Sequence, residues 1–189
     1  MAWEILERNL PKYDFVERHQ RLIKAPPPDV WQAVQTARVA GSMLTRSAVA
    51  LRMLPARLAG QAAPEPAPLY DLSGMKNFLR LGEAPEREFV LGMVGQFWRP
   101  RGVLRPIAPD TFAAFAEPDF AKLAWGFDLE PSGAGTRLRT ETRIQCLSTE
   151  SKRHLRPYWM IIRPISGLIR REILGGIGNV AETTGSAKP

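Results

Sequence analysis

Thr136-Arg137-Leu138-Arg139-Thr140-Glu141-Thr142-Arg143-Ile144-Gln145-Cys146 is the stretch that decides the fold. Its even positions are Thr136, Leu138, Thr140, Thr142, Ile144 and Cys146; its odd positions are Arg137, Arg139, Glu141, Arg143 and Gln145. That period of two marks a half-buried strand whose even face turns inward and whose odd face meets water. Ser148 and Thr149 then offer N-cap oxygens. An apolar stripe follows through Leu155, Trp159, Ile162, Ile169 and Ile173, widened by Tyr158, Ile161, Ile165 and Leu168, which predicts a long amphipathic helix. Burying five such side chains contributes on the order of 10 kcal/mol gross, so the helix needs a broad apolar floor, and a concave sheet supplies one.

The remaining numbers set bounds. A chain of 189 residues suits one domain, and 44% apolar with 24% charged residues is ordinary for a globular protein. The net charge of +7 raises the question of nucleic acid or an anionic membrane, but the basic residues are scattered along the chain, which argues against nucleic acid. One cysteine, Cys146, allows no internal disulfide and reads as a small core residue. The first residues lack the basic and apolar regions of a secretory signal, and no apolar run approaches the roughly 20 residues of a membrane span. A cytoplasmic protein is expected.

Outward from the deciding stretch, Pro131-Ser132-Gly133-Ala134-Gly135 turns Phe120–Leu129 into it, with Leu123, Trp125, Phe127 and Leu129 on one face and Lys122, Gly126 and Asp128 on the other. Gly82-Glu83-Ala84-Pro85 predicts a hairpin turn between strands at 77–81 and 88–94. A first strand covers 14–24, and Pro26-Pro27-Pro28-Asp29 ends it and opens a helix carrying Val30, Trp31 and Val34. A second helix is expected over 41–58, with Arg46, Arg52 and Arg57 interleaved. The proline-spaced segment 59–68 reads as an extended loop, either a cover for a pocket mouth or a solvated surface. Residues 1–13 form an arm, either a capping turn or a frayed end, residues 14–180 form the domain, and 181–189 form a loose tail. Pro157 and Pro164 predict bends in the final helix, and Gly175, Gly176 and Gly178 predict its end.

Strand, two short helices, a run of antiparallel strands and one long helix give an α+β order. Ile23-Lys24-Ala25-Pro26-Pro27-Pro28-Asp29-Val30-Trp31, the hairpin Gly133-Ala134-Gly135-Thr136-Arg137-Leu138, the run Glu141-Thr142-Arg143-Ile144 and the helix from Tyr158-Trp159 to Arg170-Arg171 together resemble the START-like (SRPBCC) superfamily, in an uncharacterised bacterial branch. The resemblance spans most of residues 14–174. It implies a helix-grip fold of about seven strands curved around the C-terminal helix, with a cavity between helix and sheet that holds an apolar small molecule, as in polyketide cyclases and lipid-transfer domains.

No phosphate-binding loop, nucleophile elbow or zinc-protease motif is present, and with only His19 and His154 no metal site or cofactor is expected. The register that buries Ile23 also points Glu17, His19 and Arg21 inward; a slip of one residue turns them outward and brings in Val16 and Leu22 instead. Facing inward, His19 with Glu17 and an aromatic such as Tyr158 makes an acid–base candidate, against the alternative of a satisfied core histidine. Leu123, Trp125, Phe127, Leu138, Thr140, Thr142, Trp159 and Ile162 are the expected ligand-binding residues, the threonine hydroxyls orienting a guest or satisfying the backbone. The expected function is binding of an apolar or amphipathic small molecule. The alternatives are a cyclase- or dehydratase-like enzyme and an interaction or anionic-membrane module with peripheral contact, as a monomer or homodimer.

Overall fold

The computed structural model describes residues 3–36, 78–99 and 102–186; the helix expected over 41–58, its arginines Arg46, Arg52 and Arg57, and the segment 59–68 lie outside the described residues. The chain begins with a short helix α1 (Ile5–Asn9), strand β1 (Phe15–Ile23) and helix α2 (Pro27–Thr36). Strands β2 (Leu79–Ala84), β3 (Glu88–Gln96), β4 (Val103–Leu104), β5 (Ala121–Ser132) and β6 (Gly135–Cys146) follow, and α3 (Thr149–Ser186) closes the chain. The architecture is α+β: a curved, open antiparallel sheet with a long C-terminal helix. Six strands are described, in the order β1-β6-β5-β3-β2 with β4 beside β3.

The β5–β6 hairpin closes as its glycines require. Ser132 pairs with Gly135 across a two-residue loop, and Gly133 takes φ 60, a conformation that favours glycine at the first loop position. At Gly135 the need is for space, since a Cβ there would lie 2.3 Å from the carbonyl oxygen of Ile23. The β2–β3 turn lies three residues later than the glycine suggests. Gly82 is inside β2, where the pairing with β3 shifts register, and a Cβ there would sit 2.8 Å from Ile5 Cγ2; the turn itself is at Pro85–Arg87, with Glu86 at φ 59. That glycine answers the close approach of α1, not a turn.

The inner face of the sheet carries Ile23, Phe89, Leu91, Trp125, Phe127, Leu129 and Leu138, packed with Val30, Trp31 and Val34 of α2 and with Ile169, Ile173, Leu174 and Ile177 of α3. Phe89 and Phe127 stack with ring centroids 4.8 Å apart. A second inner cluster, toward the start of α3, joins Ala121, Ile144, Leu155 and Trp159, with Phe15 and Tyr158 beside them. Serine caps α3 reciprocally: the Ser151 amide donates to Ser148 Oγ and the Ser148 amide to Ser151 Oγ, each at 3.0 Å, a capping box with serine in the place of glutamate.

Two further expectations are corrected. The helix does not end at Gly175–Gly178 but runs to Ser186, because Ile177 and Ala181 are fully buried beyond those glycines and hold the helix down. The odd face of β6 does not all meet water: Arg137 is exposed and Arg139 partly so, but Glu141 and Arg143 are each only 3% exposed. The cause is the arm. Ile5, Leu6 and Leu10 pack with Val90, Val94, Phe112 and Ala124 on the outer side of the sheet. Glu88 of β3 accepts the Glu4, Ile5 and Leu6 amides at 2.9–3.0 Å, satisfying the free donors that begin α1. Arg143 donates to Glu141 (2.7 Å), to the Leu10 carbonyl (3.0 Å) and to Glu7 (2.6 Å), and lies over the Tyr13 ring.

The hydrogen bond from Arg143 holds the Glu7 carboxyl below the ordinary glutamate range, with Coulomb attraction to Arg143 and Arg18 adding to it against a partial loss of solvation. A carboxyl with a depressed native pKa stabilises the fold above its unfolded pKa, and that contribution is lost as the pH falls through the native value. The acid limb of the stability profile, read from urea midpoints between about pH 7 and pH 3, is therefore expected to flatten in Glu7→Gln. Trp159 is buried to 8% with Phe15 5.9 Å from its ring, so Trp159→Ala is expected to cost about 3–5 kcal/mol in a denaturant titration.

Candidate functional site

Between the two inner apolar clusters the concave face turns polar. β1 and β6 are paired so that Glu17 lies opposite Thr142 and His19 opposite Thr140, all four on the inner face. The inward register follows from Ile23, which is fully buried at the end of β1 while its neighbour Leu22 is 59% exposed. Glu17, Thr140 and Thr142 are buried to 5%, 2% and 1%, and the His19 side chain to 15%. From α3, Arg170 closes over the same layer, and Ser166 of that helix is buried as well.

The contacts divide the layer into satisfied and unsatisfied groups. Trp125 Nε1 donates to Thr140 Oγ1 at 2.8 Å, and Thr140 in turn donates to the Gly126 carbonyl at 3.0 Å. Thr140 therefore fixes the indole and has no donor left over. His19 Nε2 lies 3.0 Å from Glu17 Oε1, a hydrogen bond in the tautomer that carries its proton on Nε2. Arg170 lies over the Trp125 ring at 4.5 Å, and its Nε is 3.7 Å from Glu17 Oε2, close enough for Coulomb attraction but not for a hydrogen bond. Glu17 Oε2 and Thr142 Oγ1 have no hydrogen-bond partner among the described residues.

Gly167 makes this arrangement possible. A Cβ at that position would fall 2.9 Å from Glu17 Oε1 and 3.5 Å from both Cε1 and Nε2 of His19, so the bare backbone of α3 passes directly over the pair. No motif pointed to Gly167 or Arg170. The signal available was the helical spacing of Gly167 and Arg170 on the side of α3 that also carries Ile162, Ser166 and Ile169.

The candidates named from the sequence are not all brought together. Trp125, Phe127 and Leu138 line the larger inner cluster, Trp159 lies in the smaller one, and Leu123 touches both. Ile162 is buried at 7%. Tyr158 belongs to the smaller cluster, nine residues before Gly167, a separation of about 13 Å along a helix, so it does not join Glu17 and His19. Cys146 is half buried, and burial with the nearby Asp14 charge pushes its thiol up to about 12, which leaves it protonated and a poor nucleophile at neutral pH. His154 lies on the solvent side of α3, 3.2 Å from Glu150 and stacked near Trp98.

Described residues form two cavities, one of which shares part of its lining with this layer. One, of about 590 Å³, opens on the outer side among Trp3, Arg18, His19, Gln20, Arg139, Thr140 and Glu141, and so borders His19 and Thr140; the other, of about 380 Å³, is lined by Gln96, Trp98, Asp119, Ser151 and His154. Among the described residues no cluster of His, Cys, Asp and Glu has the make-up of a metal site, and no helix is long and apolar enough to cross a membrane.

Neither protein-family models nor curated proteins match the chain. Among solved structures it is similar to protein CV1439 from Chromobacterium violaceum, at 13% identity over 88% of this chain and 96% of that one, with a TM-score of 0.42. It is also similar to TTHA0849 from Thermus thermophilus, at 9% identity over 90% and 99% with a TM-score of 0.35. CalU16 from Micromonospora echinospora matches at 14% identity over 91% and 85% with a TM-score of 0.30. Likenesses this slight carry no argument about the chain.

The Gly167 notch yields a test of the site. Alanine in place of a helical glycine ordinarily gains about 1 kcal/mol. Here the added methyl must displace the Glu17 carboxylate, so Gly167→Ala is expected to lose about 1–3 kcal/mol in urea unfolding and to shift the His19 ring resonances.

Proposed function

We propose that the chain is a helix-grip domain of the START-like kind that binds an apolar or amphipathic small molecule between the inner face of the sheet and α3. The observation that carries this reading is the polar layer set into an apolar floor, with Glu17 Oε2 and Thr142 Oγ1 left without hydrogen bonds. A buried polar atom without a partner costs about 1–3 kcal/mol, and valine at position 142 would fill the same volume without that cost. A guest that brings its own polar group to this layer offsets the penalty. Leu123, Trp125, Phe127, Leu138, Trp159 and Ile162 serve as its apolar walls, Thr142 and Glu17 as its polar contacts, and Thr140 as the group that holds Trp125 in place. Such a mixture of many apolar groups and few directed polar ones is the usual make-up of a small-molecule site.

The 3.0 Å contact of Glu17 with His19 favours a second reading, an acid–base pair acting on the guest, in which the imidazole moves a proton and the carboxylate holds its tautomer. Tyr158 has no part in it. Binding comes first in either reading.

Titration of an apolar fluorescent probe tests the proposal. The wild type is expected to bind it one to one, with displacement by amphipathic competitors. Thr142→Val is expected to raise the unfolding free energy by about 1 kcal/mol while weakening the competitors that carry a polar group. Failure of the probe to bind would remove the cavity from the account and leave the layer as a structural feature of the core.

A further inference from the structure

The solvent side of α3 carries a second, separate feature. Met160 and Ile161 are consecutive and expose 69% and 70% of their surface, the two largest exposures among the large apolar residues described. An isolated exposed methionine or isoleucine is ordinary, but an adjacent pair is not on a helix whose other large apolar residues, Val180 apart, are buried or half-buried. Around the pair stand Arg153, Arg156 and Arg163, with Lys152 and Arg171 further along, all exposed. From Ser151 to Arg171 the helix contains no acidic residue; Glu150 and Glu172 bound the stretch. Lys152 is engaged with Asp14 at 2.7 Å and Arg153 lies 4.0 Å from Glu150, which leaves the cationic character of the face concentrated at Arg156, Arg163 and Arg171.

We propose that this face of α3 docks on an anionic lipid surface, with Met160 and Ile161 entering the headgroup boundary and the flanking arginines held against the lipid phosphates. The argument is one of complementarity. A basic helix face with an apolar centre matches an interface that is apolar below and negative above, and helices of this make-up lie in the plane of such interfaces. A nucleic-acid backbone would meet the arginines but would leave the apolar pair facing a polar groove. Among the described residues no helix can span a bilayer, so the contact is peripheral. The inference stands apart from ligand binding on the inner face, because it uses the opposite side of the helix.

Sedimentation of the full chain with vesicles tests it. The wild type is expected to bind vesicles of equal parts phosphatidylcholine and phosphatidylglycerol, to ignore pure phosphatidylcholine, and to weaken as salt is raised. Met160→Ser with Ile161→Ser, and separately Arg156→Glu with Arg163→Glu, are each expected to reduce binding at least about tenfold with an unchanged circular dichroism spectrum, since both pairs are exposed. The inference is overturned if the wild type binds neither vesicle or both alike, or if either double variant binds as the wild type does. It is equally overturned if the serine pair leaves binding intact and a homopolymeric RNA displaces the vesicles, an outcome that identifies a general polyanion site.

Discussion

Everything in this fold depends on β6 being covered on both sides. Its even side chains line the face that α3 covers, and of its odd ones Glu141 and Arg143 lie under the N-terminal arm, so a strand that alternates in polarity is nonetheless buried along most of its length. The outer cover holds only because its charges are satisfied. Arg143 has a carboxylate on either side, a carbonyl at its end and a tyrosine ring on its face. Removing two charges from water costs several kcal/mol per ion and is tolerable only with good geometry and further hydrogen bonds, which is what this arrangement supplies. Glu88 does the same for α1, a helix of five residues that could not persist alone in water. The arm is thus tied to the outer side of the sheet by two buried charged side chains, one from β3 and one from β6.

Sequence patterning made one side of the sheet legible. The alternation of β5 and β6, the Gly133 turn and the Ser148 cap all follow from local signals, whereas for β1 the periodicity left two registers open and the burial of Ile23 selects the one that turns Glu17 and His19 inward. The same logic misreads the other side. Alternation assigns every charged residue to water, and nothing local distinguishes Arg137, which is exposed, from Arg143, which is buried beneath an arm that lies more than 130 positions earlier in sequence. Glycine misleads for a related reason. Gly82, Gly175 and Gly178 read as punctuation, yet at Gly82 and Gly178 an added Cβ would come within 3 Å of a side chain from another element. Close approach and chain termination leave the same mark in a sequence, and only the tertiary partner separates them. Tyr158 fails in the opposite way: it is on the expected helix, but too many turns from Gly167 for its ring to reach the pair.

The inner side shows the converse arrangement. Apolar contacts seat α3 around Leu155 and Trp159 and again from Ile165 to Ala181, and among these contacts the helix crosses Glu17, His19, Thr140 and Thr142. Over that polar layer the helix offers a bare backbone at Gly167 and a guanidinium at Arg170. Polar groups make poor ballast. Their hydrogen bonds are exchanged for bonds to water when the layer opens, whereas apolar contacts are simply lost.

Pro157 and Pro164 bear on the same region. Each lacks the amide that would bond to the carbonyl four residues earlier, Arg153 in one case and Met160 in the other, so two rungs of the helix are missing over the part of α3 that leads into the polar layer. The missing rungs weaken the middle of the helix, beside which Glu17 Oε2 and Thr142 Oγ1 make no hydrogen bond, while Ile173, Ile177 and Ala181 secure its far end. Stability within a fold is uneven, and segments that admit ligands come from its less stable part. Under the proposed function, the residues around Gly167 combine polar groups that would gain from a guest with a covering helix whose backbone lacks two hydrogen bonds just before them.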